Sequence, residues 1–333
     1  MKLSILDQAP ILSGADPRSA LLESAKLAQI AEKLGYSRYW IAEHHDLKGL
    51  ACPAPEVMLG YIGALTKKIR IGSGAILLPH YKPYKVAETF NMLATLFPGR
   101  IDLGIGRAPG GSAEAAAALS GNFLKNVWKM PETLQELLHF LHNDFPDDSM
   151  FSKVSAAPLP ENPPKPWLLG TSHKSSVLAA ENGTSYVFGQ FMSDKNGADI
   201  VKNYQQHFKK NEFSAQPEVI VTVSAFCAET EELAEDLVLS HFIWTLQQET
   251  GQNEKGLPAA AKAKKYIMSD EEKNRFASYK NKTVYGNPAQ VKNKLLSIAA
   301  EYNTDEIMIV TITPTYEERI ESYKLIAGEM LSF

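Results

Sequence analysis

The feature that most constrains the fold is a regular alternation of short apolar runs with longer segments of helical spacing. The short runs are rich in β-branched and aromatic residues, which predicts strands, and each is followed by apolar residues at helical intervals. Such an alternation is typical of a parallel sheet covered by helices. The predicted strands are 2–8, 38–43, 69–77, 101–105, 167–169, 185–188, 219–227 and 306–311.

Eight strand–helix units favour a closed barrel over the alternative, an open doubly wound sheet. The chain has 333 residues, and a (β/α)8 barrel needs about 250 residues plus insertions. No change in composition marks a second domain. We therefore predict that residues 1–333 form a single α/β domain, a TIM barrel with insertions. The polar segment 247–282 is the candidate mobile insertion, and we expect it to act as a lid.

Charge and cysteine content exclude several classes of function. A formal net charge of -4 and a pI near 6.1 argue against a basic surface that binds nucleic acid. Cys52 and Cys227 form no metal or redox motif, which favours a reduced cytoplasmic compartment. No apolar run approaches the roughly 20 residues that cross a bilayer. We expect a soluble cytoplasmic protein without a membrane or nucleic-acid partner.

In a barrel of this kind the active site lies at the C-terminal ends of the strands. His44 ends the second predicted strand and can act as an acid, a base or a hydrogen-bond donor near neutral pH. Adjacent residues point to opposite faces, so at most one of His44 and His45 lines the pocket. No metal-ligand spacing is visible, and we predict no metal site. The residues at the predicted strand ends are Asp7, Gln8, Glu43, His44, His45, Ser73, Gly74, Arg107, Thr171, Ser172 and Gln190.

Two segments at strand ends have the composition of anion-binding sites. The loop 104–111 is rich in glycine and carries Arg107, whose guanidinium suits a phosphate. The segment 170–176 joins a strand to a helix through serine and threonine, where backbone N–H groups bind phosphate readily. The second segment alone is equally consistent with an ordinary helix cap. Together they indicate a phosphate-bearing ligand, either a cofactor or the sugar phosphate of an unrelated barrel lyase or isomerase.

Several stretches resemble the bacterial luciferase-like monooxygenase family. They are residues 38–45, 71–79, 88–93, 98–110, 168–172, 179–183 and 286–288. The resemblance implies a barrel that binds reduced FMN (FMNH2) at the strand ends. Arg107, Ser172 and Ser175, with a contribution from Thr171, would then hold the FMN phosphate.

The same resemblance implies the remaining site residues. Ser73 and Gly74 would form a bulge behind the flavin ring, where the family often has a non-proline cis peptide. His44 would be the catalytic histidine, and Glu43 is the second catalytic candidate. Gly170 and Thr171 stand where luciferase itself has an acidic residue.

The implied function is that of a two-component flavin-dependent monooxygenase. It would use reduced FMN and O2 to oxygenate a small organic substrate, and a separate NAD(P)H:flavin reductase would supply the reduced FMN. The alternatives are a deazaflavin-dependent hydride-transfer oxidoreductase and a non-catalytic flavin-binding protein. The resemblance does not extend to the segment 247–282, so it implies no particular substrate. A homodimer through the helices at 56–66 and 85–97 is expected.

Overall fold

The computed structural model describes residues 1–250 and 256–331. Eight parallel strands close into a barrel in the order β10–β1–β2–β3–β5–β6–β7–β8, and β8 pairs with β10. The strands are β1 (Lys2–Asp7), β2 (Arg38–Ile41), β3 (Arg70–Ser73), β4 (Ile76–Leu77), β5 (Ile101–Gly106), β6 (Lys165–Gly170), β7 (Ser185–Gly189), β8 (Val219–Cys227), β9 (Val284–Gly286) and β10 (Glu306–Val310). Short β4 pairs with β5, and β9 pairs with the end of β8. The prediction of a TIM barrel is confirmed.

Helices surround the barrel and follow most of its strands. They are α1 (Pro17–Lys33), α2 (Pro55–Leu65), α3 (Pro83–Leu96), α4 (Ala113–Ser120), α5 (Phe123–Trp128), α6 (Met130–His142), α7 (His173–Glu181), α8 (Gly197–His207), α9 (Glu231–Glu249), α10 (Ala260–Ala263), α11 (Asp270–Lys282), α12 (Pro288–Glu301) and α13 (Tyr316–Met330). Single 3-10 turns occur at Leu78–His80 and Gln190–Met192. Local signals set many of the ends. At the start of α1 the Asp16 carboxylate accepts from the Ser19 N–H at 2.7 Å, and Pro17 takes the first helical position.

The barrel strands carry two apolar layers, one on their outer faces and one on their inner faces. The outer faces of the strands pack against the helices and form the largest buried cluster. The inner faces form a smaller cluster of Leu6, Trp40, Ala42, Trp167, Val187, Ile220, Met308 and Val310. Below it, Arg38 contacts Asp102 and Glu306, each at 2.8 Å, and these buried charges are paired. The interior is therefore filled, and a ligand must enter at the opposite, C-terminal end.

The third predicted strand, 69–77, is interrupted, which corrects the expectation of one continuous strand. The chain leaves the strand geometry between Ser73 and Ile76, and the Gly74–Ala75 peptide is cis. A Cβ atom on Gly74 would lie 2.4 Å from Leu6 Cδ1, so the backbone passes too close to the interior for a side chain. The bulge expected at Ser73 and Gly74 is present.

The polar segment 247–282 contains helices α10 and α11, while residues 251–255 lie outside the described part of the chain. Ion pairs join these helices to α9, between Lys264 and Asp236 at 2.7 Å and between Arg275 and Glu249 at 2.8 Å. The role of this segment as a lid stays a prediction. Over the ranges 1–250 and 256–331, the structure contains no helix with the length and apolar character needed to span a membrane.

Candidate active site

His44 lies at the mouth of the barrel, just beyond the end of β2. It continues the alternation of Trp40 and Ala42, whose side chains face the barrel interior. Its Nδ1 atom is buried and has no hydrogen-bond partner among the described residues. Burial, with a smaller contribution from the nearby His45, lowers the pKa of His44 to about 4. The ring is therefore neutral near pH 7, with a nitrogen available to a ligand.

Glu43 points away from the interior and is surrounded by donors. Its buried carboxylate accepts hydrogen bonds from the Tyr81 hydroxyl at 2.7 Å and from the Leu77 N–H at 3.0 Å, and His45 Nε2 lies 2.7 Å away. Burial and the adjacent carboxylate raise the pKa of Tyr81, so the phenol keeps its proton and donates. These contacts tie the end of β2 to the segment that follows the cis peptide.

The loop that carries Arg107 is fixed to the same region. The His45 N–H donates to the carbonyl of Gly110 at 2.8 Å, and Gly110 has φ +73. A Cβ atom on Gly111 would lie 1.8 Å from the His45 carbonyl oxygen, so only glycine allows this approach. The ends of β2 and β5 are thus held together by backbone contact.

Arg107, Ser172 and Ser175 come together where β6 passes into α7. Ser172 caps the helix, accepting from the Ser175 N–H at 3.3 Å, while Ser175 Oγ accepts from the Ser172 N–H at 3.2 Å. The Arg107 Nη2 atom lies 3.5 Å from Ser172 Oγ. The first N–H groups of α7 have no partner within the helix, and its dipole favours an anion. These donors suit a phosphate group.

Close packing behind this helix start keeps the two serines in place. A Cβ atom on Gly170 would lie 2.2 Å from Ser175 Oγ, and the same hydroxyl lies 3.0 Å from the Tyr186 hydroxyl. A cavity of about 290 Å³ adjoins Arg107 and Ser175, with Lys174 and Trp128 on its wall. Gly170 leaves room for the Ser175 hydroxyl at the start of α7, and the guanidinium and hydroxyl groups gathered there fit a phosphate-bearing ligand.

The structure brings together most of the residues predicted for the site, but it places Asp7 elsewhere. Ser73 and Gly74 adjoin the end of β2, where the Gly74 N–H donates to the Ile41 carbonyl at 2.8 Å. Asp7 turns outward, is buried, and contacts Arg319 at 2.6 Å and the Tyr39 hydroxyl. Although burial alone would raise it, the Arg319 charge holds the pKa of Asp7 below its ordinary value. Asp7 therefore anchors α13 to the barrel.

Sequence reasoning missed a second wall of the mouth, formed by β8, α9 and α11. It carries His241, whose Nδ1 lies 2.7 Å from the Tyr279 hydroxyl. The consecutive buried residues Phe242, Ile243 and Trp244 were the available signal, since they show that α9 is buried on more than one face. His241 and Tyr279 are 38 positions apart along the chain, so no local motif joins them.

A family comparison agrees with this geometry. Residues 1–303 match the model of the family described as luciferase-like monooxygenase. The chain belongs to this family. The expected resemblance is thereby confirmed over nearly the whole chain, including the His44 region and the loop of Arg107.

Individual relatives span the full length of this family member. YwcH of Bacillus subtilis (strain 168) is 42% identical over 98% of either chain. The N-acetyl-S-alkylcysteine monooxygenase of the same organism is 34% identical, over 100% of this chain and 99% of its own. The crystal structure of apo-MsnO8 is similar with a TM-score of 0.90 and 32% identity, over 98% of each chain.

Two more distant structures share the fold alone. The oxygenating constituent of 3,6-diketocamphane monooxygenase from Pseudomonas putida, a complex with FMN, has a TM-score of 0.71 at 20% identity, covering 99% of this chain and 97% of its own. An F420-dependent secondary alcohol dehydrogenase has a TM-score of 0.72 at 16% identity, covering 99% of each chain.

Proposed function

We propose that this protein is a two-component flavin-dependent monooxygenase that uses reduced FMN and O2 to oxygenate a small organic substrate. The proposal rests on two features that meet at one barrel mouth. One is a helix start suited to a phosphate, and the other is a neutral His44 whose Nδ1 has no hydrogen-bond partner among the described residues. Membership of the family and the monooxygenase relative at 34% identity support it. The FMN complex of a protein with the same fold is consistent with the choice of cofactor.

Arg107, Ser172 and Ser175 are proposed to hold the FMN phosphate, and Thr171 lies beside them in the same turn. The guanidinium supplies charge, the Ser172 hydroxyl can supply a donor, and the start of α7 adds backbone N–H groups. The Ser175 hydroxyl donates to the Ser172 carbonyl at 2.7 Å and would contribute by holding this turn. The capping box of α7 fixes the two serines before the ligand arrives, so binding costs little ordering of them. Arg107 is exposed, and its guanidinium lies 3.5 Å from Ser172 Oγ.

Ser73 and Gly74 are proposed to support the flavin ring from below. The Ser73 hydroxyl donates to the Gly104 carbonyl at 2.9 Å, so the backbone of Gly74 would be the group that faces the ligand. Bound reduced FMN supplies the electrons that activate O2. The protein contributes binding, orientation and exclusion of water from the mouth.

His44 is proposed to hold or move a proton beside the reacting atoms. A neutral imidazole can accept a proton on Nδ1, and its low pKa prevents it from being charged before the reaction begins. Glu43 is buried and already bound to Tyr81 and Leu77, so we assign it to positioning His44 rather than to contact with the substrate.

We propose two partners, a separate NAD(P)H:flavin reductase and a second copy of the chain. The outer faces of α2 and α3 expose large apolar side chains, among them Val57 with 68% of its surface accessible and Leu96 with 60%. These faces belong to the segments expected to form the homodimer. Light scattering should give twice the mass of one chain, and Leu96→Glu should shift it toward the monomer. A monomeric parent protein would contradict this assembly.

The function is tested by anaerobic titration with reduced FMN, followed by rapid mixing with oxygenated buffer. We expect tight binding and a slower return of the oxidised-flavin absorbance than free reduced FMN gives. Failure to bind reduced FMN, with binding of a reduced deazaflavin, would favour hydride transfer. Binding with reoxidation as fast as that of free flavin would favour a flavin-binding protein without oxygenase activity.

A further inference from the structure

Helix α9 lies across one side of the barrel mouth. Its Trp244 packs against Leu12 and Ile312, which follow the ends of β1 and β10. Its His241 contacts the ring of Phe226 near the end of β8, with the ring centroids 5.6 Å apart. The helix therefore covers the strands on the side of the mouth away from the phosphate-binding end of β6.

His241 is enclosed by aromatic rings but is not sealed. The Tyr279 ring is stacked parallel to it at 5.9 Å, and Trp244 contacts it at 5.5 Å. Burial lowers the pKa of His241 to about 4, yet the residue is only half-buried. Its contact with Phe226, near the end of β8, places the ring at the mouth of the barrel.

The two ring nitrogens of His241 have different surroundings. Nδ1 lies 2.7 Å from the Tyr279 hydroxyl, whereas Nε2 forms no hydrogen bond with any described residue. Burial raises the pKa of Tyr279 to about 12, so the phenol keeps its proton. A phenol that keeps its proton can donate it to Nδ1, which places the imidazole proton on Nε2.

The wall around His241 carries no nearby charge among the described residues. Burial is the sole cause of its lowered pKa, without a contribution from a carboxylate or a cation. A neutral N–H donor in an aromatic, uncharged wall suits a neutral acceptor, and a carbonyl oxygen is such an acceptor. A charged group would lose its hydration there without a compensating partner.

We propose that Tyr279 holds neutral His241 in the tautomer protonated on Nε2, and that this N–H binds and orients a neutral carbonyl group of the substrate. This proposal rests on the proposed function, because it places the substrate at the mouth that also receives the flavin. It narrows the substrate class to compounds with an aldehyde, ketone or amide group. His241 is thus a substrate-binding residue on the wall opposite the phosphate site.

The tautomer is read directly from nitrogen NMR spectra of the histidine rings in uniformly 15N-labelled protein. The His241 signals are identified by their loss in His241→Gln. We expect a single neutral tautomer with the proton on Nε2, and a mixture of both tautomers in Tyr279→Phe. Tyr266→Phe is the matched control, since Tyr266 lies in the same segment and bonds Glu272 instead. A proton on Nδ1 in the parent protein would overturn the proposal.

Ligand binding is tested with cyclohexanone as the carbonyl probe and tetrahydrothiopyran, a thioether ring of similar size, as its control, with and without added FMN. Cyclohexanone should shift the His241 Nε2–H signal, and its Kd should weaken about threefold to tenfold in His241→Asn and His241→Phe. His241→Gln, whose amide can place a donor near the Nε2 position, should restore most of the affinity. Tetrahydrothiopyran should bind alike to all four proteins.

The outcomes separate this proposal from the proposed function. Equal cyclohexanone affinity in all variants, or equal dependence of both probes on His241, would overturn the carbonyl site while leaving reduced-FMN binding intact. Loss of reduced-FMN binding in the parent protein would instead remove the proposed function. In that case the ketone titration still reports whether His241 binds a carbonyl group.

Discussion

The two walls of the barrel mouth are built in different ways. The first wall consists of the ends of β2, β3, β5 and β6, where His44, Gly74, Arg107 and Ser172 each lie within three residues of the end of a strand. The second consists of β8, α9 and α11, and its contacts join Phe226, His241 and Tyr279 from three separate elements. The residues of the first wall therefore belong to short local sequence motifs, whereas those of the second wall are brought together only by packing.

This difference in construction matches the different roles that we propose for the two walls. A phosphate anchor and a proton carrier serve every substrate, so they lie on the rigid strand ends that define the fold. Recognition of one particular substrate is assigned to α9, which follows β8, and to the segment 247–282, which is the candidate insertion. Both walls nevertheless hold a histidine whose pKa is lowered to about 4 by burial. The following predictions test how separate the two walls are.

The largest expected effect is the loss of turnover in His44→Ala. Removing a positioned proton carrier lowers rates by about 100-fold or more, while the phosphate site, and hence FMN binding, should remain. Turnover is measured with the first substrate that a screen of carbonyl compounds identifies, and FMN binding by titration. His207→Ala, at an exposed position on α8, is the control and should be unchanged. Equal turnover in the two variants would remove His44 from the chemistry.

The next effect is weaker flavin binding in Arg107→Ala. A hydrogen bond to a charged group is worth about 2 kcal/mol, so the Kd for reduced FMN should rise roughly thirtyfold. The ratio of the Kd of Arg107→Ala to that of the parent protein should be smaller at high salt, because screening weakens the contribution of the Arg107 charge. Arg18→Ala, an exposed arginine on α1, serves as the control. An unchanged Kd in Arg107→Ala would show that the FMN phosphate binds elsewhere. The first wall would then not differ from the second by binding the phosphate.

The sequence could predict the barrel and the first wall because each signal lies within a few residues. Eight strand–helix units are countable, and glycine, serine and arginine after a strand have local physical meanings. The glycines and the family resemblance indicated a bulge at Ser73 and Gly74. The division of the strand into β3 and β4 could not be predicted, since the closeness of Gly74 to Leu6 is a contact between two strands. The outward turn of Asp7 toward Arg319 has the same origin, as the partner is 312 positions away. The pairing of His241 with Tyr279 likewise depends on how α11 packs.

A third prediction concerns stability, and here the two walls should behave alike. His44 and His241 bind a proton less readily when folded than when unfolded, where the pKa is about 6.5. The unfolded state then binds more protons below this value, so the free energy of unfolding falls as the pH drops from about 6.5 toward 4. At pH 5 each histidine should cost about 2 kcal/mol relative to neutral pH.

Urea unfolding at several pH values checks this stability effect. His44→Asn and His241→Phe should each show a shallower loss of unfolding free energy between pH 7 and pH 5 than the parent protein. His207→Ala should keep the full slope, because its side chain is exposed. A reduced slope in one variant alone would show that only one wall is sealed strongly enough to keep its histidine neutral.

The smallest effect is expected for closure of the second wall over the flavin. Helices α10 and α11 lie beside α9 through the ion pair of Lys264 and Asp236, and α11 carries Tyr279. If the segment 247–282 is a lid, bound FMN should slow its cleavage by trypsin severalfold, since cleavage requires local opening. Cleavage sites are located by mass spectrometry, and bonds after surface lysines of α12 serve as the internal control. Equal cleavage rates with and without FMN would mean that the second wall is in place before the cofactor binds, and substrate recognition through His241 would then need no closing step.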